Sequence, residues 1–234
     1  RAYLMENEIL QDRHIKSYVV RAGRITAAQT RALTELGPKY LVAVEEGKYL
    51  NPTELFGREA PLVVEIGFGM GKSFTQMAQA DPNSNYLGIE VHPPGVGSAL
   101  MLVEELGLKN VRIIQHDAFE IFKHHLSENS IDILQIFFPD PWPKKRHFKR
   151  RLINDDFIAM VAASIKHGGY VRLATDWEEY AMQMLDVMTR AEGFTNTASD
   201  GRFIERPAWR PLTKFELRGE RLGHGVWDLV FKRD

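Results

Sequence analysis

Apolar residues along this chain follow two alternating rhythms. Short runs, largely apolar and β-branched, fall at Leu62–Gly67, Asn85–Val91, Val111–His116, Ile131–Phe138, Tyr170–Thr175, Phe194–Ala198 and Val226–Lys232. Between them lie stretches with helical spacing at Lys72–Ala80, Gly95–Leu106, Ala118–His125, Asp155–His167 and Trp177–Ala191. Runs such as LVVEIG and IDILQIFF are apolar at nearly consecutive positions, which suits strands covered on both faces of a parallel sheet. The alternation predicts an α/β fold, a doubly wound sheet with helices on both faces. Such sheets take ligands outside the carboxyl ends of their strands. The stretch before residue 60 differs. It reads as a basic arm, a helix near Thr26–Leu36, and a Pro- and Gly-containing approach to the first strand. Two parts are therefore expected: 1–59, an arm and helix packing on the core, and 60–234, the main domain.

Chemistry-bearing residues collect where the predicted strands end. Glu65-Ile-Gly67-Phe-Gly69-Met-Gly71 joins the first strand to the first helix. Glycines there let backbone approach a ligand, and the helix N-terminus adds partial positive charge. The spacing departs from the G-x-G-x-x-G dinucleotide fingerprint, since position 72 is Lys, which argues against a nicotinamide enzyme. Glu90 ends the second strand, placed to accept both hydroxyls of a ribose. Asp117 ends the third, where an acceptor could take an adenine amino group. Any one of these acids alone reads more readily as a helix N-cap or an exposed loop carboxylate. Together, ribose and adenine without a pyrophosphate cradle suggest S-adenosylmethionine.

The stretch FFPDPWPKKRH at 137–147 is the least ordinary in the chain. Asp140 sits among three alternating prolines, which restrict their own φ and the residues before them. Its carboxylate is expected to face the same crevice with little freedom. Trp142 offers a flat face for a base, and the basic run that follows suits phosphates. Asp176, in ATDW, ends the fifth strand. Thr213-Lys-Phe-Glu216 matches a capping box and could also present polar groups to a ligand.

Composition narrows the classes. With 44% hydrophobic and 26% charged residues the chain reads as globular, and no apolar run approaches bilayer length. There is no cysteine, which excludes disulfides and thiolate metal sites and fits the expected cytoplasmic location. Residue 1 is Arg, so the natural N-terminus is expected to lie upstream. His14, His92, His124, His125 and His224 lack ligand spacing, so no metal is expected. Net charge is −1, so a polyanion could be bound only through local patches. Two exist: five Lys/Arg and no acid from Arg13 to Arg31, and six Lys/Arg among the eight residues Lys144–Arg151.

EIGFGMG at 65–71, FPDPWPKKRH at 138–147, Arg150-Arg151, ATDW at 174–177 and TKFE at 213–216 resemble the bacterial tRNA (guanine-N7)-methyltransferases. The likeness runs from about RAGRIT at 21–26 to the C-terminus, with Phe148 standing where a second His is expected. The resemblance implies a class I methyltransferase fold of seven strands, the last antiparallel. It implies S-adenosylmethionine bound by Glu65, Gly67, Gly69, Gly71, Glu90, Asp117 and Asp140, and methyl transfer to N7 of guanine 46 in the tRNA variable loop. Lys144, Asp176, Thr213, Lys214, Phe215 and Glu216 would belong to the substrate site. Arg146, His147, Lys149, Arg150 and Arg151 would contact RNA, and Arg21 and Arg24 of the first basic patch join them. Asp140 is the first choice for the catalytic carboxylate, with Asp176 and Glu216 competing for the guanine edge. A monomer is expected. Two alternatives stay open: an exocyclic-amine methyltransferase, whose D-P-P-aromatic order Asp140-Pro-Trp-Pro scrambles, and an inactive RNA-binding protein on the same fold.

Overall fold

The computed structural model describes residues 15–19, 23–221 and 225–234, apart from the side chains of 215 and 219–221. Seven strands, β1 (Leu62–Ile66), β2 (Asn85–Glu90), β3 (Val111–Gln115), β4 (Ile131–Phe137), β5 (Ile165–Thr175), β6 (Phe194–Asn196) and β7 (Trp227–Arg233), form one sheet. Their order is β3-β2-β1-β4-β5-β7-β6. β1 to β5 run parallel, and β7 pairs antiparallel with both β5 and β6. The order reverses between β1 and β4, and a doubly wound sheet opens its ligand crevice at such a point.

The helices are α1 (Ala27–Glu35), α2 (Gly37–Tyr40), α3 (Pro52–Phe56), α4 (Lys72–Ala80), α5 (Pro93–Glu105), α6 (Ala118–His124), α7 (Asp155–Ala162), α8 (Glu178–Arg190) and α9 (Lys214–Arg221), with a 3-10 turn at Lys145–Arg150. They cover both faces. Leu62, Val64 and Ile66 of β1 pack with Phe122, Phe157 and Met184 on one side. Val63 packs with Phe74, Val96, Leu100 and Tyr40 on the other. The two-residue strand period thus feeds two cores, which is why β1 is buried at every position.

The N-terminal part is built into the body. α1 packs on α5 so closely that a β-carbon on Gly97 would lie 2.7 Å from the Gln29 carbonyl oxygen. Beyond α2, Leu41 bridges to Ile113, and the Val42 N–H donates to the Ile113 carbonyl at 2.8 Å, adding a short parallel rung outside β3.

Several boundaries differ from those the sequence predicts. α5 begins at Pro93 rather than Gly95, because prolines fit a first helical turn that has no N–H partners to lose. α7 stops at Ala162 instead of His167, and β5 starts at Ile165. Gly168, at φ 84°, and Gly169, whose β-carbon would meet the Asp132 carbonyl at 2.5 Å, let β5 bend into register beside β4. β6 is three residues long, not five.

Candidate active site

Gly67, Gly69 and Gly71 all take left-handed backbone, with φ of 74°, 62° and 85°. A β-carbon on Gly71 would stand 2.6 Å from that of Ala99, and one on Gly95 would stand 2.3 Å from the Gly69 carbonyl oxygen. The loop is therefore wedged against the first turns of α5, which explains Gly95, a residue that pattern reading passed over. Glu90 secures it: Oε1 accepts from the Gly69 N–H at 3.0 Å and Oε2 from Val91 N–H at 2.7 Å.

A cavity of about 500 Å³ opens at the switch point, lined by Gly67, Glu90, Asp117 and Asp140 with Ile66, Ile89 and Ile136 beneath. Asp117 caps α6, accepting from Phe119 N–H at 2.9 Å. Ser17, Tyr18 and Val19 lie along the same cavity. The Tyr18 hydroxyl bonds Asp117; burial first, then this carboxylate's charge, raises the phenol above its ordinary value. This strap has no legible signal in the sequence beyond one aromatic residue among the basic ones of the arm.

Glu65 does not share that cavity. It lies inside β1, one residue short of its end, and faces a neighbouring cavity of about 680 Å³ with Gly67, Gly69, Gly71, Thr213 and Lys214. Gly67 and Phe138 belong to both walls, so the two spaces abut. The four acids expected around one chamber are thus divided three and one. Glu65 is only 4% exposed. Burial pushes its carboxyl up to about 8, Glu90 adds to the shift, and a 2.7 Å bond from Gln135 Nε2–H opposes it. Gln135 was not foreseen either; it sits inside β4 with apolar neighbours on both sides, Leu134 and Ile136.

Asp140 is exposed, in a turn with unusual backbone. Phe138 and Trp142 both adopt positive φ, 52° and 44°, which non-glycine residues do at a cost of ~1–3 kcal/mol. Asp140 Oδ1 accepts from Trp142 N–H at 3.1 Å, folding the turn on itself. Trp142 is not the open platform expected. It is 8% exposed, with the Arg150 guanidinium 4.8 Å over its ring, His147 edge-on at 5.5 Å, and its indole N–H given to the Ser17 carbonyl at 2.9 Å.

The basic run separates into two kinds of residue. Lys144, Arg146 and Lys149 are exposed, and His147 and Arg150 are half-buried. The His147 imidazole is held below its ordinary pKa, by burial first and then by the cations Arg146, Arg150 and Lys144. Arg151, expected with the RNA contacts, departs from the group. It is 2% exposed, and its donors go to Pro141 O, Gln183 Oε1 and Glu179 Oε1. Arg24 is exposed at the approach to α1, and Arg21 lies outside the described residues.

The TKFE turn forms the capping box its pattern predicts. Thr213 N–H donates to Glu216 Oε2 at 2.8 Å, and Glu216 N–H to Thr213 Oγ1 at 3.1 Å. Lys214 is exposed; of Phe215 only the helical backbone is described. Glu216 is buried, and its second oxygen lies 2.7 Å from Arg210 Nη1. Its carboxylate is therefore engaged, whereas Asp140, on the wall of the cavity, and Asp176, just past the end of β5, are exposed. Arg210, unremarked in the sequence, is 1% exposed and grips Asp228 of β7 through Nε and Nη2 at 2.7 and 2.8 Å.

Adenosine recognition needs acceptors for a ribose and an amino group around an apolar slot, and a sulfonium cation favours nearby carboxylates. The residues present fit that description: Glu90 and Asp117 flank an isoleucine floor, and Gly95 leaves the loop backbone room to approach. Among the described residues no group of His, Asp and Glu could hold a metal ion, and no helix is long and apolar enough to cross a membrane.

Comparison with known proteins agrees with this geometry. Residues 59–229 match the model of a family described as "Putative methyltransferase". A tRNA (guanine-N(7)-)-methyltransferase from Cupriavidus metallidurans is 53% identical over 97% of this chain and 87% of its own length. One from Hydrogenovibrio crunogenus is 51% identical over 94% and 92%. Among solved structures, a 16S rRNA (adenine(1408)-N(1))-methyltransferase from Catenulisporales acidiphilia shares the fold, with TM-score 0.54 and 16% identity over 81% of this chain and 96% of that one.

Proposed function

The chain belongs to the tRNA (guanine-N(7)-)-methyltransferase family, and from that premise we propose how its two abutting cavities divide the work. The protein is an S-adenosylmethionine-dependent methyltransferase of the class I fold. Its substrate is tRNA, and the atom methylated is N7 of the variable-loop guanine at position 46. The observation that carries the reading is the delivery of Glu90, Asp117 and Asp140 from three strand ends to one cavity beside the glycine loop.

Glu90 would hold the ribose hydroxyls and Asp117 the adenine amino group. Gly67, Gly69, Gly71 and Glu65 would line the amino-acid end. S-adenosylmethionine, when bound, supplies an electrophilic methyl on a sulfonium. Guanine N7 carries an in-plane lone pair and no proton, so no residue has to act as a general base. The residues contribute placement, which can supply ~7–11 kcal/mol of a barrier. Asp140 would accept from the guanine N1–H and N2–H₂ edge, worth ~1–3 kcal/mol of discrimination, and would stabilise the positive charge that the purine acquires. Asp176 is the second exposed carboxylate available to that edge. Lys144 and the Thr213–Lys214 turn would border the target nucleotide, with Phe215 and Glu216 completing the turn. Arg146, His147, Lys149 and Arg150, with Arg21 and Arg24 on the arm, would meet phosphates, which position the RNA while the pocket reads the base. The division near residue 59 then separates an arm that would add RNA contacts from a body that would carry out methyl transfer and hold the rest of the RNA. A cytoplasmic monomer completes the reading.

Incubation with labelled S-adenosylmethionine and bulk tRNA, then digestion to nucleosides, should yield 7-methylguanine. N6-methyladenine or N4-methylcytosine would support the exocyclic-amine alternative, and no label would support an inactive RNA binder. Asp140→Ala should abolish transfer in a protein that stays folded, since the side chain is exposed; near-normal turnover would remove Asp140 from the reaction.

A further inference from the structure

We propose that Arg151 is a positioning residue for Asp140, acting through the proline turn and not through RNA phosphate. The inference rests on the reading of Asp140 as the carboxylate that faces the target base. Arg150 and Arg151 are neighbours in a cationic run, yet the fold gives them opposite surroundings. Arg150 is half-buried above Trp142. The Arg151 guanidinium lies 4.0 Å from the centre of the Phe148 ring and 5.2 Å from that of Tyr180.

Its hydrogen bonds join two elements. Nε–H donates to the Pro141 carbonyl at 2.7 Å, Nη1–H to Gln183 Oε1 at 2.7 Å, and Nη2–H to Glu179 Oε1 at 3.3 Å. Gln183 and Glu179 belong to α8, whose own start follows Asp176. The contact is reinforced around it: Gln183 Nε2–H donates to the Ile153 carbonyl at 2.9 Å, and Ile153 N–H donates to the Tyr180 hydroxyl oxygen at 2.9 Å. One buried cation thus ties the turn that carries Asp140 to the helix that follows Asp176.

The turn needs such a tie. Pro139, Pro141 and Pro143 have no N–H to anchor it, and Phe138 and Trp142 hold it in a backbone conformation that persists only when surroundings enforce it. Arginine suits the role because its planar fork makes several directed bonds at once, which lysine cannot reproduce. A guanidinium so enclosed offers RNA nothing.

Steady-state kinetics with tRNA at several salt concentrations, beside melting curves, tests this. Arg151→Met should lower kcat by about 10²-fold, the scale of a small misplacement of a reacting group, with KM for tRNA and its salt slope close to the parent's. Arg151→Lys, able to reach one acceptor, should recover part of kcat. Arg150→Ala should instead raise KM and reduce the salt slope by about 1. The proposal is overturned if Arg151→Met copies Arg150→Ala, or if kcat stays at the parent level. It is equally overturned if kcat, KM and melting temperature all collapse without recovery by lysine. Gln183→Leu cuts the α8 end of the tie and should give the same kcat-only loss; a normal kcat there counts against the proposal even if Arg151→Met does not fold. Turnover by Asp140→Ala reports separately on the underlying reading: if that variant is active, the assignment of Asp140 fails, whatever Arg151 does.

Discussion

Replacing Glu65 by glutamine should make the protein less sensitive to pH, by an amount the structure sets. In the folded chain, burial chiefly, with Glu90 adding, pushes this carboxyl from its ordinary 4.5 to about 8 against the opposing Gln135 bond. In the unfolded chain it titrates near its ordinary value. Between those two pH values the folded state holds one proton that the unfolded state has released. Stability therefore falls as pH rises, at about 1.4 kcal/mol per pH unit. Below the lower value the group contributes nothing; above the upper one the full cost, about 5 kcal/mol, is present. Glutamine keeps the shape and the acceptor for Gln135 but has no proton to lose. All other titrating groups are common to both proteins, so the difference between them isolates Glu65. From about pH 5 to about pH 8 the variant should gain about 4 kcal/mol on the parent, or roughly 8–16 °C in Tm for a chain of this size. Thermal unfolding followed by circular dichroism at several pH values across that range measures it. A bound sulfonium and ammonium would favour the ionised carboxylate. Binding of S-adenosylmethionine near neutral pH should then release close to one proton in the parent and fewer in the variant, read by calorimetry in buffers of different ionisation enthalpy. Parallel melting curves for parent and variant across the whole range would refute the reasoning.

Other expectations follow from single contacts. Gly95→Ala drives a β-carbon against the Gly69 carbonyl, a backbone atom that can yield only by shifting the loop; calorimetry should show at least about tenfold weaker S-adenosylmethionine binding, by displacement of a preorganised contact. Arg210→Met leaves Asp228 and Glu216 buried without their cation, at a cost of about 3–5 kcal/mol; chemical denaturation should show the loss, and Asp228→Asn in the same chain should return part of it. Arg24→Ala, at an exposed site, should weaken tRNA binding and leave Tm within about 1 °C of the parent, as surface changes do, checked by filter binding and melting.

The sheet, its seven strands and the acids at strand ends were legible because they depend on local pattern: short, nearly continuous apolar runs, glycines where backbone turns left-handed, and acids where strands stop. What escaped depends on the partner across space. Arg151 and Arg150 are the same letter in the same run, and only Pro141, Gln183 and the ring of Tyr180 distinguish the buried arginine from its half-buried neighbour. Glu216 read as a candidate ligand because its capping signature says nothing about Arg210 waiting behind it. Trp142 read as a free face because the residues that cover it, Ser17 and Arg150, lie 125 and eight positions away. The expected extension of α7 to His167 has a similar origin: the letters of 163–167 are silent about whether that stretch bonds to its own helix or, from Ile165, to β4.

The rung made by Leu41 and Val42 has a consequence for how far the chain can be trimmed. It occupies the outer margin of β3, the flank of the sheet that no full strand covers among the described residues. A fragment cut back to residue 59, where the family match starts, would keep all seven strands and Glu90, Asp117 and Asp140 of the cavity at the switch point. It would also bare a row of unpaired amides and carbonyls, together with the greasy flank of α5 that α1 had shielded. Open borders of that kind recruit copies of themselves. The segment ahead of β1 would then matter to solubility before it mattered to RNA, and a truncated enzyme would be lost to clumping rather than to faulty chemistry.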